Sequence, residues 1–94
     1  MLINNAGILS SEKKFTKQGY ESMFGVNHLG HFLLTVSLMD LIKASQQGRI
    51  INLSSDVHKI VKGQIDFEEL TSVPNFETFR RYGLSKYCNV LFTR

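Results

Sequence analysis

The sequence has little of several features that would define its class at once. It contains one cysteine, one proline and no tryptophan. A single cysteine excludes an intrachain disulfide, which suits a reducing intracellular compartment. The opening residues lack the basic and apolar regions of a secretory signal, and the longest apolar stretch, from Phe32 to Ile42, is too short to span a bilayer. Association with a membrane is therefore not visible in these residues.

The sequence also has only a small excess of positive charge. Eleven basic and eight acidic residues give a formal net charge of +3, and no basic cluster alternates with aromatic side chains. This pattern argues against a nucleic-acid partner. Hydrophobic residues make up 43% of the 94 residues, which excludes a disordered chain and permits a core. The length predicts one domain at most, or part of one.

Two short apolar runs and two helical patterns alternate along the chain. Leu2 to Asn4 is predicted to be a buried strand, and residues 49–55 ("RIINLSS") a second one. Between them, Thr16 is the predicted N-cap of a helix that runs from Lys17 to about Ala44 and is ended by Gly48 as its C′ residue. A strand, a long crossover and a second strand predict a right-handed βαβ unit.

The rest of the chain predicts a loop, one short helical turn and a final helix. The loop covers residues 56–63, the turn lies in "DFEEL" (66–70), and Pro74 and Asn75 open a helix over residues 76–94. Strands in which apolar and polar residues alternate little are typical of a parallel sheet covered on both faces. Few other elements remain in this chain to cover the two predicted strands. We therefore expect an α/β fold, part of a Rossmann-like, doubly wound parallel sheet. Residues 1–94 would be the central segment of one domain that is incomplete at both ends.

Tyr82 and Lys86 form the first chemical motif. They lie four residues apart within a helical pattern, so both side chains point to the same side. A free tyrosine loses its proton near pH ~10, and a lysine ammonium one turn away favours the phenolate. Such a pair can act as a general acid or base near neutral pH. The same spacing also occurs by chance in many helices, where the pair has no function.

Polar and small residues follow both predicted strands. Ser54 and Ser55 end the second strand, where hydroxyl groups either hold a substrate oxygen or satisfy the backbone of a turn. Residues 4–7 ("NNAG") end the first strand, where amides can tie neighbouring strands together and small residues leave room for a flat ligand. Within the long helix, Asn27 is a polar group held inward for water or backbone. Gly30 there indicates a close approach, because glycine costs a helix ~1 kcal/mol relative to alanine.

In this order along the chain, "LINNAGI", "VNHLGHFLLT", "RIINLSS" and "YGLSKYCNVLFTR" resemble the middle of the short-chain dehydrogenase/reductase family. The resemblance covers nearly the whole chain and is strongest to the retinol dehydrogenase-like branch. It implies an oxidoreductase that transfers a hydride between NADP(H) and a carbonyl or alcohol substrate, such as a lipophilic aldehyde or a retinoid. NAD is not excluded as the cofactor. It also implies the cytosolic face of the endoplasmic reticulum membrane as a location and permits a homo-oligomer.

The resemblance assigns roles at the cofactor side of the site. Asn5, Ala6 and Gly7 match the family's strand-stabilising motif beside the cofactor. Asn27 matches the asparagine that holds a water in the proton relay. The family's Gly-rich turn, which carries the pyrophosphate, has no counterpart in these residues.

The resemblance also assigns the catalytic roles. Ser55 matches the serine that polarises the substrate oxygen, and Tyr82 matches the catalytic acid or base. Lys86 matches the lysine that bonds the nicotinamide ribose and favours the phenolate, so Tyr82 and Lys86 both belong to the cofactor site as well.

Other interpretations remain open at this point. A truncated product or a binding module could keep these motifs without catalysis. His28, His31 and His58 are candidates for a zinc site, and Ser55 with His58 for a hydrolase dyad, but neither has a supporting motif. Cys88 lies in an apolar helix face, which predicts a core residue and not a reactive thiol.

Overall fold

The computed structural model describes residues 1–62, 65–73 and 76–94. Within them, strands β1 (Leu2–Asn4) and β2 (Ile50–Asn52) pair in parallel, with Leu2 opposite Ile50 and Asn4 opposite Asn52. Asn4 Nδ2 donates to Asn52 Oδ1 over 2.6 Å, so a side-chain amide ties the two strands together as predicted. The expected α/β class and the parallel pairing are confirmed.

The helix between the strands has three consecutive parts. They are α1 (Ser22–Phe24), a π-helical segment (Gly25–Leu29) and α2 (Gly30–Ala44). A π-helical turn inside a helix is rare and is often found at functional sites. The π segment carries Asn27, so the backbone geometry changes at a residue that the resemblance places in the site.

The predicted start of this helix at Lys17, with Thr16 as its cap, is wrong. Thr16 accepts hydrogen bonds from the amides of Gly19 and Tyr20 and so closes a turn, in which Gly19 has a φ of +93°. Such a backbone conformation interrupts a helix and favours glycine. The cap is Glu21, whose carboxylate accepts from Met23 N over 2.6 Å and from Phe24 N over 3.2 Å.

Gly48 is not the C′ residue that was expected. Helix α2 ends at Ala44, and Ser45 after it is already extended. A Cβ at Gly48 would collide with the carbonyl oxygen of Ile42. The glycine therefore lets the chain pass closely over the end of the helix on its way to β2.

Three further elements follow β2. The predicted loop contains a 3₁₀ turn (Asp56–Ile60), and the short helical turn is α3 (Phe67–Ser72), capped by Asp66. The last helix, α4, spans Thr78–Thr93, two residues shorter at its start than predicted. Gly63, Pro74 and Asn75, which entered those predictions, lie outside the described residues.

Helix α4 is the centre of the packing and rests on α1, the π segment and the 3₁₀ turn. A small core forms where these elements meet, from Phe24, Val61, Leu70, Leu84 and Cys88. Cys88 is a core residue as predicted, and burial raises the pKa of its thiol to about 11, so the thiol stays protonated at neutral pH.

The sheet is not covered on both faces by the described residues. Ile3 in β1 and Ile51 in β2 are 53% and 41% exposed, and Leu33 and Leu41 on α2 are more exposed still. Within the same residues, no helix is long and apolar enough to cross a membrane.

Candidate active site

Helix α4 places Tyr82 and Lys86 on the same side, as their spacing predicted. Lys86 Nζ lies 5.6 Å from the centroid of the Tyr82 ring. Lys86 is only 5% exposed, and burial lowers the pKa of its ammonium below the ordinary value. Nζ donates a hydrogen bond to no acceptor in the described part of the chain, so the ammonium has unused donors.

The turn after β1 meets Lys86. A Cβ added at Gly7 would lie 3.3 Å from Lys86 Nζ and 3.5 Å from Asn27 Oδ1. The end of β1, the π segment and α4 therefore bring three of the predicted site residues to one place. Asn5, Ala6 and Gly7 themselves are exposed, which leaves this side of the site open to a ligand.

Asn27 is fully buried and forms hydrogen bonds with the backbone that follows that turn. Its Oδ1 accepts from Ile8 N over 2.8 Å, and its Nδ2 donates to Ile8 O and to Ser85 Oγ, each over 3.0 Å. Its main-chain carbonyl accepts from Asn89 Nδ2 over 2.8 Å. Of the two uses that the sequence left open, water or backbone, the structure shows the contact with backbone.

The two serines at the end of β2 have different contacts. Ser54 Oγ donates to the main-chain carbonyl of Lys86 over 2.8 Å. Ser55 caps the 3₁₀ turn, because its Oγ accepts from Val57 N over 3.3 Å. A hydroxyl that accepts from the backbone keeps its own proton, so Ser55 can still donate to a substrate oxygen.

Gly83 brings the 3₁₀ turn against α4 beside Tyr82. A Cβ at Gly83 would lie 2.8 Å from Val57 O and 3.0 Å from Ile60 Cγ1. Sequence reasoning missed this residue, although a glycine inside a helix directly after the candidate tyrosine was a visible signal. The close approach was predicted at Gly30 instead, and there it is wrong. A Cβ at Gly30 would meet only Gly25 O of the same helix, at 3.4 Å.

A buried ion pair beside Tyr82 was also missed. Arg81 and Glu21 are each 1% exposed, and Arg81 Nε lies 3.4 Å from Glu21 Oε1. Nothing in the sequence pairs two residues sixty positions apart, and an arginine in the first turn of a helix reads as a surface residue.

The histidines do not form the alternative sites. His58 Nδ1 lies 2.6 Å from the carbonyl oxygen of Ser55, so it contacts the backbone and not the hydroxyl. His28 Nδ1 lies 3.1 Å from Asn89 Oδ1, and His31 Nδ1 lies 3.0 Å from the carbonyl of Asn27. Among the described residues, no three His, Cys, Asp or Glu side chains are grouped so that they could hold a metal ion.

An apolar cavity of the described structure lies elsewhere. It has a volume of about 760 Å³ and opens between α2, α3 and the far half of α4, where it is lined mainly by Phe24, His28, Phe32, Tyr87, Leu91 and Phe92. None of the predicted site residues lines it, so the candidate active site is the open side of the Gly7 turn.

The fold and the site define an α/β protein with a tyrosine and a lysine one turn apart, at the carboxyl end of parallel strands. The family model of the short chain dehydrogenases matches residues 1–65. The chain belongs to this family.

Curated relatives are similar over the whole chain. Retinol dehydrogenase 13 of Homo sapiens is 50% identical over 95 residues. Retinol dehydrogenase 14 and retinol dehydrogenase 12 of Mus musculus are each 47% identical over 94 residues. Each alignment covers 100% of this chain, and the chain spans 28% of the length of the first two relatives and 29% of the third.

Proposed function

We propose that this chain is the central, catalytic segment of an NAD(P)-dependent oxidoreductase, part of one Rossmann domain to which further residues contribute. The observation that carries the proposal is the position of Lys86. Its ammonium donates to no acceptor in the described structure and lies next to the exposed turn of residues 5–7. A ribose hydroxyl of a nicotinamide cofactor is an acceptor that fits there. Membership in the short chain dehydrogenase family supports this choice of ligand.

The residues of the site would act on a proton at the substrate oxygen. A bound nicotinamide supplies or accepts the hydride. Ser55 donates a hydrogen bond to the oxygen on which negative charge develops during reduction, and Tyr82 transfers its phenolic proton to it. Lys86 favours the phenolate that remains.

Asn27 completes the relay in this proposal. Its Oδ1 accepts one hydrogen bond, from Ile8 N, whereas an amide oxygen has two lone pairs. The second lone pair is directed to no donor of the described chain, and Lys86 Nζ is near. A water held there would link Lys86 to solvent and restore the proton to Tyr82.

The finer assignments rest on the resemblance and on the names of the relatives. We propose NADP(H) over NAD(H) from the resemblance alone. A lipophilic aldehyde or a retinoid is proposed as substrate because the relatives are named retinol dehydrogenases. A homo-oligomer and a place on the cytosolic face of the endoplasmic reticulum are proposed from the resemblance alone.

The test uses the natural polypeptide that carries these residues, here called the parent polypeptide. It is titrated with NADPH and with NADH, and cofactor oxidation is followed with a panel of aldehydes that includes retinal. We expect tighter binding of NADPH and turnover of apolar aldehydes. Binding without turnover on any carbonyl would instead favour a binding module, and no binding of either nucleotide would reject the proposal.

A further inference from the structure

Arg81, Ser85 and Asn89 lie four residues apart on α4 and are all buried, with 1%, 0% and 2% exposure. Residues at this spacing share one face of a helix. Each contacts the helix that carries Asn27. Arg81 contacts Glu21, Ser85 Oγ accepts from Asn27 Nδ2, and Asn89 Nδ2 donates to the carbonyl of Asn27. We call this row the polar seam.

Arg81 is the charged end of the polar seam and joins three elements. Its Nε donates to Glu21 Oε1 over 3.4 Å, and its Nη1 donates to the main-chain carbonyl of Glu69 in α3. The Glu21 carboxylate is at the same time the N-cap of α1. One guanidinium therefore links the first turn of α4 to the start of α1 and to α3.

Stability is a poor explanation for such a pair. Burying two charges removes their hydration, and a buried ion pair is often replaced by apolar residues without loss of stability. What a directional pair supplies is a fixed geometry. Helix α4 turns by about 100° per residue, so a slip of one residue would rotate Tyr82 and Lys86 away from the Gly7 turn. In the observed register, Arg81 contacts Glu21 while Ser85 and Asn89 contact Asn27.

We propose that Arg81 is a positioning residue, which with Glu21 fixes the rotation of α4 so that Lys86 faces Gly7 and Tyr82 faces the substrate. The inference rests on the function proposed above. Arg81 contacts none of the assigned catalytic groups, and it directly precedes Tyr82, so a change in its contacts acts on the tyrosine through the helix backbone.

The test compares Arg81→Met, Arg81→Lys and the double variant Glu21→Gln/Arg81→Met in the parent polypeptide. Arg81→Met leaves the Glu21 charge unpaired and should lower both Tm and kcat. The double variant removes both charges and should regain part of the Tm, since glutamine can accept only one of the two cap hydrogen bonds, while kcat stays at least about tenfold low. The basic limb of its pH–rate profile should also move, because Lys86 is no longer held beside the Gly7 turn. Arg81→Lys should recover part of kcat.

The matched control is Arg80→Met, which removes the neighbouring, more exposed guanidinium that pairs with Glu69. Its kcat should remain within about twofold of the wild type.

The outcomes separate this inference from the proposed function. A wild-type polypeptide that binds no nicotinamide cofactor would reject both. A double variant that regains kcat together with Tm would reject the positioning role alone, because the pair would then matter only for stability. Loss of folding in every variant, including Arg81→Lys, would reject it for the same reason.

Discussion

Ser54 donates a hydrogen bond to the main-chain carbonyl of Lys86, so the end of β2 is fastened directly to the helix that carries the candidate acid and its lysine. This bond joins motifs that lie 32 residues apart in the sequence. Its consequence is geometric. Ser55, the next residue, is held at the same end of α4 as Tyr82, where a substrate oxygen would need both hydroxyls.

Tyr82→Phe should abolish turnover and leave cofactor binding nearly unchanged. The substitution removes one hydroxyl, and general acid catalysis is typically worth ~10²–10⁴-fold in rate. The measurement is kcat for aldehyde reduction, together with the Kd for NADPH. Tyr87→Phe on the same helix is the control, because Tyr87 lines the other cavity and not the site. If the Phe variant kept more than about a tenth of the wild-type kcat, Tyr82 would have no place in the mechanism.

Lys86→Ala should weaken NADPH binding and lower the rate together. The ammonium is assigned a ribose contact and the stabilisation of the phenolate, and both need its charge. Without that charge the phenolate is less favoured, so the alkaline limb of the pH–rate profile should move to higher pH. Lys43→Ala, at the exposed end of α2, is the control for loss of one positive charge. An unchanged Kd with an unmoved limb would show that both roles are wrongly assigned.

The sequence was enough to predict how several candidate site residues are placed, because short motifs depend on local structure. The spacing of Tyr82 and Lys86, and the placement of residues 5–7 and Ser55 after strands, required only secondary structure and the direction of the strands. The burial and contacts of Arg81 could not be predicted, since they depend on Glu21 sixty residues earlier. The helix start was wrongly predicted at Thr16, because a threonine before a polar run resembles an N-cap. Gly19 instead adopts a left-handed backbone conformation, which a helix starting at Lys17 could not contain.

Gly83→Ala should damage the site, and Gly30→Ala should not. A Cβ at Gly83 would press on Val57 O at 2.8 Å, so the 3₁₀ turn that follows Ser55 must move away from α4. Overpacking of this kind typically costs about 1–3 kcal/mol of unfolding free energy. At Gly30 the nearest atom would be 3.4 Å away, and alanine favours the helix by up to ~1 kcal/mol.

The two alanine variants are compared by urea unfolding and by kcat. The expected order is a less stable, slower Gly83→Ala and a Gly30→Ala that equals or exceeds the wild type in stability. Equal stability and equal kcat for both would show that the turn and α4 do not pack as the structure has them.

Acid should destabilise the protein through His28. Burial among aromatic side chains lowers the pKa of this imidazole, and the nearby His31 lowers it further, while the hydrogen bond to Asn89 opposes them. The folded pKa is thus below the unfolded value of about 6.5. Between the two values the unfolded chain binds more protons. The stabilising contribution is therefore complete above pH ~6.5 and is lost as the pH falls through the folded pKa.

The measurement is the urea unfolding free energy of the parent polypeptide across this range. His28→Phe should flatten the acid decline, and His58→Gln, which alters an imidazole outside the aromatic cluster, should not. An acid decline of the same steepness in His28→Phe would assign it to other groups.

The 94 residues alone should neither fold cooperatively nor catalyse. Ile3 and Ile51 leave apolar surface on the sheet exposed, and Leu33 and Leu41 are 67% and 70% exposed on α2. Two parallel strands need partners and cover on both faces, and a short chain buries a smaller share of its surface. There is no disulfide to compensate, since Cys88 is the only cysteine.

Expression of these residues alone tests this expectation directly. Thermal unfolding is recorded with and without millimolar NADPH, beside reductase assays of the same chain and of its Tyr82→Phe variant. We expect no cooperative transition and no turnover. These 94 residues supply the lysine end of a cofactor site but no Gly-rich turn for a pyrophosphate, so cofactor binding has little free energy to shift the folding equilibrium. A cooperative transition that rises with NADPH, or activity that disappears in Tyr82→Phe, would show instead that the exposed apolar faces are tolerated and that this segment is an enzyme by itself.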